Sequence, residues 1–423
     1  MLVERWRVSL DDQLRSDNKA IHGYDLSCID NITPTQFISG ADEKLLRVFD
    51  EPKGVAEILQ KLCKIDTQAS SSSLPDAANI PVLGLSNKAI TAVSDEAFTS
   101  TTEDADSNTH NTTQDPNVSS DPIDPSSIVR KSTLDINHPP FEDHLARHLL
   151  WPETEKLYGH GYEISAVAVS RSGDLVATAC RASSLDHAVI RVYSTREWEE
   201  VGAPLKAHTL TVTALAFSSD DKYLLSVGRD RQWVLWEREI NNSNGEPVEE
   251  ATNKSSQNGG SYKLKLANPK GHSRMILDAA WAPRNTSSED SLSPPTFLTA
   301  GRDKSVKIWQ IAPSGEVDLK ATVTASVSVT AVACPPSLSS PGRFTFAYGT
   351  EGGELSIVSS TTDMDSLSSE TLVVSKVPSE VAPVKAITAI RWRPRHGTRG
   401  GSGEQIAVAS EDATVRFFDV NIE

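Results

Sequence analysis

Four kinds of side chain that could hold a line of hydrogen bonds recur at fixed spacing in this chain of 423 residues. A histidine comes first, then a hydroxyl residue, then an aspartate four residues after the hydroxyl and a tryptophan six residues after the aspartate. The two sets are His208, Ser226, Asp230, Trp236 and His272, Thr299, Asp303, Trp309. An indole N–H can donate to the hydroxyl, the hydroxyl to the imidazole, and the imidazole N–H to the carboxylate. We predict a structural tetrad in each stretch that locks the local fold.

Serine, histidine and aspartate together also suggest a hydrolase. A catalytic nucleophile must be exposed beside its base and near oxyanion donors, whereas Ser226 and Thr299 fall inside predicted strands. The sequence has no GxSxG, HExxH or phosphate-binding glycine loop, and its four cysteines are far apart without a CxxC pair. We therefore predict no catalytic residues, no metal or cofactor site, no small-molecule substrate and no enzymatic activity.

Four arginines lie next to these tetrads. Arg229 and Arg302 directly precede the two turn aspartates, Arg231 follows the first of them, and Arg274 stands two residues after His272. If both turns lie on one face, the arginines should converge there and suit a carboxylate-rich partner or an RNA phosphate backbone. The simpler alternative is that each arginine pairs with its neighbouring aspartate. The arginines are our candidate binding residues for a partner protein or RNA.

The stretches around the tetrads are copies of one repeat: an alternating apolar strand, a turn, a small-residue strand, an acidic turn and a strand ending in an aromatic residue. Six copies are recognisable, and Trp is replaced by Phe49, Tyr193 or Phe418 in weaker ones. Tyr193 and Trp236 stand 43 residues apart, the length of one four-stranded blade of the WD40 type. The sequence predicts an all-β WD40 β-propeller, with six recognisable blades of a seven-bladed type and long disordered insertions.

Insertions divide the predicted propeller. We expect residues 1–50 to hold an N-terminal strand and the first blade, and 51–94 to form a helical or irregular insertion packed on the ring. Residues 95–145 carry 11 acidic and 2 basic residues among Ser, Thr, Asn and Pro, which predicts an acidic disordered loop. The remaining blades occupy 146–423. The strand-like segment within Met1–Leu10 is a candidate to close the last blade, whose edge would otherwise stay unpaired.

Charge and hydropathy limit the partners. The formal net charge is -16, which disfavours general coating of nucleic acid unless a local basic patch overrides it. We see no apolar run long enough for a membrane helix and no signal peptide, and the separated cysteines suit reduced thiols. We expect a protein of the cytoplasm, and also of the nucleus, with no membrane contact.

Several segments of the sequence are more specific than a generic repeat. They include LGLSNKA at 83–89, LWPE at 150–153 followed by KLYGHGYE at 156–163, HTLTVTALAFS with VGRDRQWVLW, and HSRMILDAAWAP with AGRDKSVKIW. These segments resemble the family of Elongator complex protein 2. The first two are the most specific evidence because the propeller fold does not require them.

The resemblance implies a non-catalytic scaffold subunit of the Elongator complex, which modifies the wobble uridine of certain transfer RNAs through chemistry in another subunit. It implies contacts with the largest scaffold subunit and the catalytic subunit, and allows a transfer RNA contact. Family members carry two seven-bladed propellers. This chain resembles only the second, with one blade expected upstream of Trp6 and marginal stability without it. The alternative function is a generic WD40 adaptor in a signalling or chromatin complex.

Overall fold

The fold is known from a computed structural model, which describes residues 24–63, 74–75, 77–79, 88–90, 150–239, 261–284, 293–336, 344–362, 366–393 and 404–420. The chain forms two compact units. The first comprises residues 1–41 and 46–157, and the second comprises 42–45 and 158–423. The acidic stretch 95–145 and the N-terminal segment 1–10 lie outside the described residues, so those two expectations stay predictions.

The first unit contains one six-stranded sheet and a helix. Its elements are β1 (Leu26–Thr33), β2 (Gln36–Ala41), β3 (Leu46–Asp50), α1 (Lys53–Cys63), β4 (Ala77–Asn79), β5 (Lys88–Ile90) and β6 (Glu153–Leu157). The strand order is β1-β2-β3-β6-β5-β4. Helix α1 falls in the predicted insertion, and its Leu59 is buried. The segment LWPETEKL enters this sheet as β6, antiparallel to β3, although about 100 residues separate them in the chain.

A buried ion pair connects strand β6 to β3. Arg47 on β3 donates to Glu153 on β6 at 2.5 Å, and Lys156 contacts the other oxygen of the same carboxylate at 2.9 Å. A buried carboxylate needs such partners because desolvation would otherwise penalise its charge. The ion pair gives a physical role to part of the LWPE segment, which the repeat pattern alone did not assign.

The second unit is built of five antiparallel sheets. Their strands are β7 (Ile164–Val169), β8 (Leu175–Cys180), β9 (Val189–Ser194), β10 (Leu205–Lys206); β11 (Val212–Phe217), β12 (Tyr223–Gly228), β13 (Trp233–Arg238), β14 (Tyr262–Asn268); β15 (Ile276–Trp281), β16 (Thr296–Gly301), β17 (Ser305–Ile311), β18 (Val317–Thr324); β19 (Val329–Ala333), β20 (Thr345–Thr350), β21 (Leu355–Ser360), β22 (Leu372–Lys376); and β23 (Ile387–Trp392), β24 (Glu404–Ser410), β25 (Val415–Val420). Each sheet is a meander in sequence order, and the last has three strands among the described residues. The described residues form six sheets, one for each predicted repeat, which confirms the all-β WD40 β-propeller class.

Burial follows strand position within each sheet. The second strands β8, β12, β16 and β20 are buried at every residue, because side chains on both of their faces pack against other sheets. Outer strands such as β14 and β22 alternate or are exposed. The small residues that the repeat carries in its second strand therefore match a crowded position, which explains why this part of the repeat was readable from the sequence.

Hydroxyl groups near the start of the first strands connect neighbouring sheets. Ser165 donates to the carbonyl of Val212 at 2.8 Å, and Thr213 donates to the carbonyl of Ile276 at 2.7 Å. Thr330 repeats the bond to the carbonyl of the first residue of β23 at 2.6 Å. Each bond joins the first strand of one sheet to the first strand of the next. These bonds hold successive sheets of the second unit in a fixed register.

Strand β15 uses a different group for the same purpose. It has Leu277 at the hydroxyl position, and the next residue, Asp278, accepts from the backbone N–H of Val332 at 2.8 Å. Burial raises the pKa of Asp278, although backbone N–H groups donate to its carboxylate. The connection between β15 and β19 is therefore carried by a buried carboxyl group instead of a hydroxyl.

Candidate partner-binding surface and its supporting network

The first predicted tetrad is a continuous line of hydrogen bonds across β12 and β13. Trp236 Nε1–H donates to Ser226 Oγ at 2.9 Å, and Ser226 Oγ lies 2.8 Å from His208 Nε2. His208 Nδ1 lies 3.1 Å from Asp230 Oδ2. These partners assign the proton of the imidazole to Nδ1, so that Nε2 accepts from the serine hydroxyl.

The second predicted tetrad has the same geometry in the next sheet. Trp309 Nε1–H donates to Thr299 Oγ1 at 2.9 Å, which lies 2.7 Å from His272 Nε2, and His272 Nδ1 lies 2.9 Å from Asp303 Oδ1. Both hydroxyl residues, Ser226 and Thr299, have 0% exposure. A hydroxyl enclosed in this way is held for hydrogen bonding and is not presented to a substrate.

The carboxylates are the charged ends of the two networks. Burial would raise the pKa of Asp230, but hydrogen bonds from His208, the Thr209 N–H and Gln232 outweigh burial and hold this pKa below its ordinary value. The pKa of Asp303 is also lowered: burial opposes the shift, and hydrogen bonds from His272 and Ser305 produce it. Both aspartates are therefore anionic acceptors throughout the neutral range.

Two further positions complete each network and were missed by sequence reasoning. Gln232 donates to Asp230 Oδ2 at 2.6 Å, and Ser305 donates to Asp303 Oδ1 at 2.7 Å. Both stand two residues after their aspartate, a shared offset that could have been noticed. A polar residue at this position satisfies part of the carboxylate that the imidazole leaves free.

The glycine of each GRD turn is fixed by the same network. A Cβ on Gly228 would lie 3.0 Å from His208 Nδ1, and a Cβ on Gly301 would lie 2.7 Å from His272 Nδ1 and 2.9 Å from Asp303 Oδ1. Any side chain at these positions would push the imidazole away from the carboxylate. The glycine was visible in the repeat, but its reason is evident only from the packed structure.

The four candidate arginines occupy one end of two neighbouring sheets. Arg229 and Arg231 lie in the β12–β13 turn, Arg274 precedes β15 and Arg302 lies in the β16–β17 turn, and all four are exposed. Backbone hydrogen bonds connect these segments: the His272 N–H donates to the Arg231 carbonyl at 3.3 Å, and the Arg302 N–H donates to the Met275 carbonyl at 2.9 Å. We call these four residues the arginine surface.

The carboxylates next to the arginines are already engaged with the tetrads. Asp230 is contacted by His208, the Thr209 N–H and Gln232, and Asp303 by its histidine, Ser273 and Ser305. Among the residues that the structure describes, none of the four arginines forms a side-chain ion pair. The alternative in which each arginine pairs with its neighbouring aspartate is therefore not the arrangement seen. The guanidinium groups are available to an outside partner.

The basic residue that follows each turn aspartate has a left-handed backbone conformation. Arg231 has a φ of 69° and Lys304, at the matching position of the next sheet, has a φ of 65°. The left-handed region disfavours residues with a Cβ by about 1–2 kcal/mol. The turn therefore has backbone strain at the residue that carries its basic side chain.

The sheet β7–β10 carries an incomplete version of the network. His160 Nε2 lies 2.8 Å from Thr178 Oγ1, but Nδ1 of His160 has no hydrogen-bond partner in the described part of the chain. The hydroxyl of Tyr193, at the position of the tryptophan, donates instead to the Tyr158 carbonyl at 2.8 Å. Burial and then the charge of Arg191 lower the pKa of His160 to about 4.

Metal binding and membrane insertion have no visible support in the described ranges. No group of three or more His, Cys, Asp or Glu residues is arranged there to hold a metal ion. Of the helices within those ranges, none has the length and apolar character to cross a membrane.

Antiparallel meanders follow one another along the chain. Two of them contain the full His–hydroxyl–Asp–Trp line, and β7–β10 contains a reduced form of it. This combination defines a repeat class. Residues 151–190, 199–237 and 264–310 match the WD domain, G-beta repeat family. The chain is a WD40-repeat β-propeller protein.

Within that class, the chain is similar to Elongator complex protein 2, and the resemblance inferred from the sequence is confirmed. It is 38% identical over 405 residues to Elongator complex protein 2 of Saccharomyces cerevisiae, covering 95% of this chain and 45% of that protein. The protein of the same name is 39% identical over 404 residues in Schizosaccharomyces pombe and 33% identical over 424 residues in Homo sapiens. This chain covers 46% and 47% of those two relatives, so it spans about half the length of the curated relatives it matches.

Proposed function

We propose that this chain acts as a non-catalytic scaffold subunit of the Elongator complex. The proposal rests on one observation: similarity to proteins named Elongator complex protein 2 extends over 95% of the chain, far beyond the three segments that match the repeat family. A shared repeat alone would leave the insertions and the outer strands unmatched. In this role the chain works in the cytoplasm, and also in the nucleus, and contributes binding surfaces to a complex whose chemistry is carried by another subunit.

The arginine surface is the proposed contact site. Its exposed guanidinium groups lack ion pairs among the described residues, and its turns are fixed by the tetrads behind them. Guanidinium groups bind carboxylates or phosphates with paired hydrogen bonds, so the surface suits an acidic face of the largest scaffold subunit or of the catalytic subunit. The backbone of transfer RNA offers the same chemistry, and the complex would thereby support modification of the wobble uridine.

Co-purification tests the assembly role. The chain is expressed with an affinity tag in a cell that contains the Elongator complex, and the captured proteins are identified by mass spectrometry. We expect the largest and the catalytic subunits of the complex to be recovered. Recovery of signalling or chromatin proteins without those subunits would contradict the proposal and favour a generic WD40 adaptor.

Charge reversal tests the contact site. Arg229→Glu, Arg231→Glu, Arg274→Glu and Arg302→Glu, combined, should abolish recovery of the complex or reduce wobble-uridine modification. The matched control is Arg196→Glu, which alters an exposed arginine on another sheet that pairs with Asp174 at 3.1 Å. If the combined variant assembles and supports modification as well as the control does, the arginine surface has no binding role.

Salt dependence separates protein binding from RNA binding. If the surface holds transfer RNA, the isolated chain binds it with an affinity that falls steeply as salt is raised, because phosphate contacts release counterions. If the surface holds protein, assembly is lost in the arginine variant while binding of transfer RNA by the wild-type chain stays weak at all salt concentrations.

A further inference from the structure

A groove lies between the sheets β11–β14 and β15–β18, at the ends of their strands. Its volume is about 740 Å³, which is in the range of sites that hold small ligands or peptide segments. It is lined from the β11–β12 turn by Lys222, from β14 by Lys265, from the region after β15 by Arg284, and from β18 by Asp318 and Lys320. Four of these five charged residues are basic, in a chain whose formal net charge is -16.

The groove and the arginine surface are at opposite ends of the same strands. Val212, at the start of β11, pairs with Gly228, which borders the arginine turn, whereas Phe217, at the end of β11, pairs with Leu224 beside Lys222. The groove is therefore a separate basic region, and its proposed role does not depend on the function proposed for the arginine surface.

The contacts that these cations already form show which groups they bind. Lys265 Nζ lies 3.0 Å from Glu237 Oε2 and 3.3 Å from the hydroxyl of Tyr223, and Arg284 donates to Asp220 at 2.5 Å. Lys320 forms no ion pair with any residue in the described ranges and is only partly exposed. An entering carboxylate would meet one unpaired ammonium group beside cations already held in carboxylate-binding geometry.

An amide side chain in the groove is also free. Gln310, at 6% exposure, lines the groove near the end of β17, and its side chain forms no hydrogen bond with another residue in the described part of the structure. A primary amide offers one acceptor and two donors, the complement of a peptide unit. The amide can therefore exchange hydrogen bonds with a ligand that brings both a donor and an acceptor into the groove.

We propose that this groove binds an extended, acidic polypeptide segment of a partner protein. A glutamate or aspartate side chain would contact Lys320 and Lys222, and the backbone of the segment would exchange hydrogen bonds with Gln310. Single-stranded nucleic acid fits less well, because its binding sites combine a basic groove with an exposed aromatic ring on which bases stack. The aromatic ring nearest the cations, Tyr223, is 5% exposed and cannot stack on a base.

The experiment measures fluorescence anisotropy of a labelled glutamate-rich peptide with the full chain. To exclude binding at the arginine surface, it is carried out on the variant with Arg229→Glu and Arg231→Glu. We expect saturable binding, and no binding of a peptide with glutamine in place of glutamate. In this background Lys320→Glu should weaken binding about tenfold or more. Gln310→Leu should weaken it without a change in net charge.

The matched control is Lys206→Glu, which reverses one exposed lysine on β10, outside the groove. Lys206→Glu should leave binding unchanged, and Lys320→Met should weaken it less than Lys320→Glu. Unchanged unfolding midpoints show that the variants are folded. The proposal is overturned if the glutamate-rich peptide does not bind, if Lys206→Glu weakens it as much as Lys320→Glu, or if an RNA oligonucleotide displaces the peptide.

Discussion

The sheets β11–β14 and β7–β10 both place a histidine against a hydroxyl of their second strand, but only the first supplies a carboxylate to the other side of the imidazole. His208 is held at both nitrogens, by Ser226 and Asp230, whereas His160 is held at Nε2 alone. An unsatisfied buried polar atom costs about 1–3 kcal/mol. The comparison shows that the repeat tolerates loss of the carboxylate when the rest of the sheet is well packed.

In the sheet β19–β22, other residues replace the hydroxyl, aspartate and tryptophan of the network. Tyr348 stands at the register position of Ser226, Gly352 at that of Asp230 and Val358 at that of Trp236. Tyr348 and Val358 are 3% and 0% exposed and belong to one apolar cluster with Phe344 and Phe346. Apolar packing therefore holds this sheet where hydrogen bonding holds β11–β14 and β15–β18. The same architecture has two kinds of internal support.

The largest loss of stability should come from breaking a complete hydrogen-bond network. Asp303→Ala removes the carboxylate and leaves Nδ1 of buried His272 without its partner, so we expect the free energy of unfolding to fall by about 3 kcal/mol. Urea unfolding measures it. The control Asp174→Ala breaks an exposed ion pair with Arg196 and should change stability by less than about 0.5 kcal/mol. Equal effects of the two substitutions would show that the network contributes nothing special.

The next largest effect is a pH dependence of stability, which we expect from the incomplete network around His160. The pKa of His160 is about 4 in the folded chain and 6.5 in its unfolded reference, so the unfolded state binds a proton first as pH falls. Stability should therefore drop between pH 6.5 and pH 4. The loss should reach about 3 kcal/mol at the lower end of this range.

The variant His160→Gln isolates this dependence, since it keeps a polar group beside Thr178 and cannot titrate. Asp230 and Asp303 have lowered pKa values, so their contribution is present above the unfolded value of 3.8 and is lost only below it. Urea midpoints of both proteins are compared across this range. A wild-type slope that His160→Gln retains in full would rule out His160 as its source.

A smaller effect is expected when only the last bond of the line is removed. Trp309→Phe keeps most of the aromatic packing but deletes the indole N–H that donates to Thr299 at 2.9 Å. We expect a loss of about 1 kcal/mol, because one neutral hydrogen bond is removed with some packing volume. Phe418, at the matching position of the last sheet, offers the reverse test. Val408 stands there at the register position of the hydroxyl, so Phe418→Trp gains no acceptor and should not stabilise the chain.

The smallest expected effect is a gain of stability, whereas the changes above cause a loss. Arg231→Gly relieves a residue at a φ of 69°, so the free energy of unfolding should be unchanged or rise by up to about 1 kcal/mol. The same variant should weaken binding at the arginine surface. Loss of stability together with binding would mean that the arginine supports the turn and does not serve a partner.

Repeat spacing made much of the fold predictable. The aspartates and tryptophans at offsets of four and six residues predicted which polar groups would meet, and alternation predicted three strands in each of the six repeats. It could not assign β6 to the first sheet, because its partner β3 is about 100 residues earlier and no local pattern connects them. Nor could it find the groove near Lys320, whose lining residues come from separate turns and strands of two sheets.

The amino-acid sequence by itself determined which side chains recur and at what intervals, and a periodic strand pattern with fixed polar offsets can fold in few ways. Only the tertiary structure decided between the two arrangements that the sequence left open for the arginines: none of the four forms an ion pair with Asp230 or Asp303. The physical reason is geometric: a carboxylate is bound by the donors that packing brings within hydrogen-bond distance, and these need not be its neighbours in the chain. Which donors are within reach depends on how strands from distant parts of the chain pack together.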